Sequence, residues 1–143
     1  MNRKGFTLVE ILIVVIILGI LAAIVIPQFT EASNDARKSA LESDLQTLRS
    51  QIELYKIQHL DTYPDKDTIV TLLTTKTDAS GAAGGTFGPY LQSFPTNPFV
   101  SGDAAKQVTG GAATVKGTAG ATGWMYNSTT GQIWPGDADH KDL

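Results

Sequence analysis

Glu10 has the least hospitable surroundings of any ionisable residue in this sequence. It is the only charge between Phe6 and Ile26, and the chain carries none from Ile11 to Gln28. Arg3, Lys4 and Gly5 precede this stretch. A carboxylate inside lipid costs roughly 2–3 kcal/mol or more unless it is paired. Glu10 therefore requires a cation at its own depth. A cut between Gly5 and Phe6 would create one, because the new amine on Phe6 would sit at the start of the apolar stretch. The Glu10 of a neighbouring copy could neutralise it. Pairing two charges in an apolar surround adds little net stability but selects register, and a helix start favours the anion through its dipole. This is recognition chemistry, not turnover.

The rest of the chain offers little else that could react. His59 and His140 are the only histidines, and there is no cysteine, so disulfides and thiolate metal ligands are excluded. His59 reads as an edge-packing residue of a helix, and His140 lies in a polar tail. Gly110-Gly111 and the glycines from 81 to 88 lack the lysine and helix that a phosphate loop needs. No serine or threonine stands in a nucleophile motif, so the chain is read as no enzyme. Lys and Arg are scattered over a net charge of −3, with no basic stripe, so no nucleic acid is expected as a partner. Asp137, Asp139 and Asp142 cluster in the last residues and offer oxygens, or simply a solubilising tail.

The elements that must position Glu10 follow from the pattern around it. Phe6 to Ile26 is 21 residues, about 31 Å of helix, close to the ~30 Å apolar core of a bilayer. Arg3 and Lys4 would stay on the cytoplasmic side. Three readings compete. A cleaved signal peptide fits poorly, because Ala22-Ala23 lies inside the run. A plain anchor leaves Glu10 unexplained. Assembly with copies of itself accounts for both length and charge. Pro27 predicts a kink or a melted turn, and Gly19 with Ala22-Ala23 offers surfaces for close helix approach.

Beyond Pro27 an apolar stripe continues through Phe29, Ala32, Ala36, Leu41, Leu45, Leu48, Ile52, Tyr55, His59 and Leu60. The opposite face carries Arg49 four residues before Glu53, and Asp35 three before Lys38, as candidate ion pairs. The spacing predicts one helix to Leu60, its stripe packed on a small sheet. After Tyr63-Pro64, a short helix is expected over 67–73, capped by Asp65 or Asp67. A flexible loop follows over 78–88, then a proline-pinned loop over 88–99 that buries Tyr90, Leu91, Phe94 and Phe99. Thr114-Val115-Lys116 is a candidate strand. Gly123-Trp124-Met125-Tyr126 and Gln132-Ile133-Trp134 form a hairpin about Asn127 to Gly131. Trp124, Tyr126 and Trp134 read as hairpin core in preference to an exposed binding patch. The fold class is α+β: a long N-terminal helix, half transmembrane and half amphipathic, on a small antiparallel sheet with irregular loops.

Lys4-Gly5-Phe6-Thr7-Leu8-Val9-Glu10 resembles the processing signal of type IV pilins and type II secretion pseudopilins. The basic leader, the glycine, the phenylalanine and the glutamate four residues later are all present, and Pro27 stands where that family carries a helix-interrupting proline. The Tyr63-Pro64 turn, the 90–99 loop and the terminal Trp-x-Tyr hairpin resemble the major pseudopilin branch. The resemblance implies a leader 1–5 removed behind Gly5 by a prepilin peptidase, N-methylation of Phe6, a filament-core helix 6–27, an amphipathic half 28–60 and a C-terminal domain 61–143. It implies a homopolymer with Phe6, Glu10 and Pro27 in assembly, and as further partners an inner-membrane platform, an ATPase and minor pilins. The subunit would wait in the inner membrane with its domain in the periplasm, then enter a periplasmic pseudopilus or an extracellular pilus. The alternatives left open are a surface pilin for adhesion, motility or DNA uptake, and a minor pilin or anchored binding module. Relatives of the pseudopilin branch hold calcium in a C-terminal acidic loop, which by resemblance makes Asp137, Asp139 and Asp142 its candidate ligands.

Overall fold

The computed structural model describes residues 5–143, so the leader cations Arg3 and Lys4 lie outside the described residues. Its elements are helix α1 (Leu8–Gln58), helix α2 (Ile69–Thr74), a 3-10 turn (Gly102–Lys106), and strands β1 (Val108–Gly110), β2 (Trp124–Tyr126) and β3 (Ile133–Pro135). The chain divides into two compact units, one ending at Ala36 and the other covering Arg37–Leu143.

In the first unit, a run of Leu, Ile, Val and Ala forms helix with every large apolar side chain exposed, from Phe6 to Phe29. Helical conformation runs unbroken through Pro27. Proline lacks the amide that would bond the carbonyl four residues back, yet the turns on both sides persist, and the Thr30 hydroxyl donates to the Ile26 carbonyl at 3.2 Å. Neither Gly5 nor Gly19 has another group within 4 Å of where a Cβ would stand, so both are open surface in the single chain.

In the second unit the stripe is buried, but only from Leu41 onward. Leu41, Leu45, Leu48, Ile52 and Tyr55 pack with Ile69 and Leu73 of α2, Phe94, Trp124 and Tyr126 of β2 and Ile133 of β3. Burial of such a side chain contributes of the order of 2 kcal/mol. The earlier members of the stripe stay outside: Phe29 is 73% exposed, and Ala32 and Ala36 are exposed as well. The far end also differs from expectation. α1 stops at Gln58, and Leu60 and Asp61 both take positive φ, 54° and 60°. The Asp61 amide reaches back to the Lys56 carbonyl at 3.1 Å, closing the helix in a left-handed turn without the usual glycine.

The sheet is mixed, where an antiparallel one was expected. Strand order is β1-β2-β3, with β2 and β3 antiparallel as the hairpin predicts but β1 parallel to β2. The expected strand at Thr114-Val115-Lys116 does not form; Val108-Thr109-Gly110 takes that role. Val108 packs against the core whereas Val115 is 70% exposed, so burial decides between two stretches of similar composition. A parallel pair needs a crossover, and the Gly/Ala/Thr-rich segment 111–123 supplies it. In the hairpin turn the Asn127 carboxamide oxygen accepts the Thr129 and Thr130 amides. Gly131 closes the turn at φ 71°, where a Cβ would stand 2.2 Å from the Tyr63 ring.

The loops are tied more closely than their composition suggests. α2 begins after Thr68, with no side-chain cap. Asp67 does not cap it, and the Asp65 carboxylate accepts the Asp67 amide in the turn before the helix while the Asp65 carbonyl accepts Ile69. The 78–88 loop, read as flexible, is pinned by bridges from Thr77 to Ala83 and Phe87. Asp78 Oδ1 accepts three further bonds, from the Ser80 amide and hydroxyl and the Ala82 amide. His59 is 3% exposed and stacks on Tyr55, one ring nitrogen on the Tyr55 carbonyl and the other on the Thr77 hydroxyl. In the 88–99 loop the Tyr90 and Leu91 amides both donate to the Leu73 carbonyl, and the Trp124 indole donates to the Pro95 carbonyl.

Candidate assembly site

The segment around Glu10 is built from the backbone outward. Gly5, Phe6 and Thr7 are not helical, and Gly5 and Phe6 are exposed. The peptide bond behind Gly5 therefore lies in accessible backbone ahead of the first helical turn, the kind of backbone that proteolysis favours. The first amides of any helix lack internal partners. Here Thr7 and Glu10 satisfy them mutually. The Glu10 amide donates to Thr7 Oγ1 at 3.2 Å, while the Thr7 amide and the Thr7 hydroxyl both donate to Glu10 Oε2 at 2.8 Å. This is a capping box, Thr at the cap and Glu three residues on. Its signature, Thr7-Leu8-Val9-Glu10, is legible in the sequence and is independent of the charge that the carboxylate carries.

The box has a chemical consequence. Oε2 is committed twice to the chain's own Thr7, while Oε1 accepts no hydrogen bond among the described residues. The carboxylate is thus held in one orientation with one oxygen in reserve, on a stretch of chain where Phe6, Leu8, Ile11 and Leu12 are all exposed. Such a group can accept an ammonium donor from another chain without giving up its own helix cap. Pro27 lies well along the same helix and touches none of these groups.

The acidic C-terminal residues are arranged differently from what their sequence suggests. Asp137 is half-buried. Its Oδ2 accepts the Asn97 carboxamide at 2.8 Å, and its Oδ1 accepts the His140 amide at 3.0 Å and lies 2.6 Å from His140 Nδ1. Burial works to raise its pKa, but these donors outweigh burial and hold the carboxyl below the usual carboxylate range. The side chains of Asp139 and Asp142 accept no hydrogen bond, and no group of three acidic, histidine or cysteine residues converges, both among the described residues. Calcium takes six to eight oxygens, and both oxygens of Asp137 already face N–H donors.

Two further residues depart from their expected roles. Arg49 does not pair with Glu53. Its guanidinium, with its pKa lowered by desolvation, donates to the Ile133 carbonyl at 3.2 Å and the Leu143 backbone oxygen at 2.8 Å. Glu53 instead accepts the Tyr63 hydroxyl. Leu143 consequently packs against the core, so the segment from Pro135 that leads to it is not a free polar tail. Trp124, Tyr126 and Trp134 are fully buried, so they form hairpin core.

Comparison with known proteins assigns these features to two family models. The prokaryotic N-terminal methylation motif matches residues 1–26, and type II secretion system (T2SS), protein G, matches residues 28–106. The aspartates of the C-terminal segment lie beyond the second match. The type II secretion system core protein G of Pseudomonas aeruginosa is 29% identical over 98 residues, covering 68% of this chain and 69% of that protein. Its counterpart in Vibrio cholerae is 31% identical over 98 residues, 68% and 66%. That of Klebsiella pneumoniae is 31% identical over 101 residues, 70% and 71%. No solved structure matches.

Proposed function

The chain belongs to the type II secretion system protein G family, and from that premise we propose that it is the major pseudopilin of a type II secretion system. It is a structural subunit that assembles through its N-terminal helix, and not an enzyme. On this reading a prepilin peptidase removes residues 1–5 and methylates the amine of Phe6. The subunit waits in the inner membrane with residues 6–27 in lipid and its C-terminal domain in the periplasm. An assembly platform and its ATPase then move it into a homopolymer, with minor pilins as accessory subunits.

The observation that carries this reading is the half-committed carboxylate. Glu10 holds its own helix start with Oε2 and keeps Oε1 for a donor, and the Phe6 amine of a neighbouring copy is the donor that processing creates at that depth. Pairing fixes register between copies, which a uniformly apolar helix surface cannot do. Mass spectrometry of subunits from isolated filaments tests the reading. The expected subunit begins at a methylated Phe6. Filaments built from chains that retain residues 1–5 would overturn it, as would wild-type filament yield from Glu10→Ala.

A further inference from the structure

We infer that Asp137 serves as an internal clamp in place of a metal site, so that the C-terminal segment closes onto the domain by direct hydrogen bonds and without calcium. Asn97 is the hub. It is 0% exposed, and every polar group it owns is used. Its amide donates to the Ala105 carbonyl, its carboxamide oxygen accepts the Phe99 amide, and its carboxamide nitrogen donates both to the Gly123 carbonyl and to Asp137 Oδ2. One side chain thus joins the proline-pinned loop, the entry to β2 and the C-terminal segment.

The remaining oxygen of Asp137 is closed off by its own segment. Oδ1 takes the His140 amide and faces His140 Nδ1, and the His140 ring stacks on Phe99 with centroids 4.0 Å apart. Around this point the Gly120 amide donates to the Gly136 carbonyl at 2.7 Å and the Gly136 amide to the Gly123 carbonyl at 3.0 Å. Arg49 then secures the Leu143 backbone oxygen. A calcium ion held by both oxygens of Asp137 would crowd the donors already there, and losing the Asn97 contact would leave that buried nitrogen with one partner instead of two. Charge-assisted hydrogen bonds of this kind are the strong ones, and removing a partner from a buried group costs its desolvation. A tie that a cation would otherwise provide between the C-terminal segment and the domain is here made by Asn97 and His140.

The test uses the full-length chain in detergent, with thermal unfolding followed by the fluorescence of the buried Trp124 and Trp134. Wild-type protein is expected to show the same midpoint in excess EDTA and in millimolar calcium. Asp137→Ala and Asn97→Ala are each expected to lower the midpoint by roughly 5–10 °C in both buffers, while Asp139→Asn and Asp142→Asn leave it in place. A bound ion raises the midpoint by mass action. A calcium-dependent rise in wild type that Asp139→Asn or Asp142→Asn abolishes would overturn the inference, even if Asp137→Ala fails to fold. The assay reads the domain and not the filament, so it stands or falls separately from the assembly reading.

Discussion

Replacing Thr7 by valine separates the cap from the charge at the start of α1. Valine keeps the shape and the backbone amide that donates to Glu10 Oε2, but loses the hydroxyl. Two of the three bonds in the box go with it: the Glu10 amide loses its acceptor and Oε2 loses one of two donors. Loss of a cap side chain costs about 1 kcal/mol in water, within a range of roughly 0.5–2, and an amide without a partner in an apolar surround costs more. If the box sets the orientation of the reserved oxygen, that free energy is lost at each subunit addition. About 1 kcal/mol is roughly a fivefold weaker equilibrium per step, so a valine subunit requires about that much more processed chain for the same filament mass. The assay is quantitative recovery of sheared filaments against processed subunit in the membrane, with mass spectrometry to normalise cleavage behind Gly5. Thr7→Ser keeps the hydroxyl and is expected to assemble at close to the wild-type level. Wild-type filament mass from Thr7→Val, in a system where Glu10→Gln abolishes it, would refute the positioning role and leave the charge alone in charge of assembly.

Other perturbations read the second unit. Leu48→Ala removes a fully buried side chain from the seam between α1 and the sheet and is expected to destabilise the domain by about 2–5 kcal/mol, read as a lowered unfolding midpoint with membrane insertion intact. Gly131→Ala places a Cβ against the Tyr63 ring at positive φ, with an expected cost of roughly 1–3 kcal/mol; an unchanged midpoint would show that Tyr63 yields freely. Tyr126 is buried and donates to the Pro64 carbonyl, and burial pushes its phenol well above its ordinary value. A raised pKa in the folded state gives stability that is complete below the unfolded value near ~10 and is lost as pH rises past it. Tyr126→Phe is therefore expected to show a shallower alkaline loss of stability, and ultraviolet titration of wild type to show one tyrosine that ionises only on unfolding.

How much of this was legible in the sequence varied with the range of the interaction that decides it. The seam Leu41, Leu45, Leu48, Ile52 and Tyr55 follows from helical spacing alone, and the hairpin of Trp124 to Tyr126 with Ile133 and Trp134 follows from strand-like alternation about a turn. Local periodicity could not say where the stripe stops being buried, because Phe29, Ala32 and Ala36 continue the same rhythm in the open. It could not choose Val108 over Val115 as the extra strand either, since that depends on contacts with residues far away in sequence. Helix spacing pairs Arg49 with Glu53, yet its partners are backbone oxygens at positions 133 and 143. The capping box is the opposite case, a local signal present in four consecutive residues and masked by the more conspicuous charge argument. Asp137 is a candidate calcium ligand by resemblance alone, and its bonds from Asn97 and His140 depend on a fold that residue spacing does not show.

The exposed apolar surface from Phe6 to Phe29 changes what must drive polymer growth. In water such a surface would aggregate at once through the hydrophobic effect. A subunit that leaves a bilayer for a bundle of identical helices is instead transferred from one oily phase to another, and lipid chains are as apolar as leucine. The transfer free energy of those side chains nearly cancels. What remains to favour the ordered phase is close contact at small residues such as Gly19, Ala22 and Ala23, and the few polar groups that find partners only there. On the proposed reading, a single carboxylate oxygen in a long greasy helix can therefore tilt a balance that fifteen large aliphatic side chains leave level.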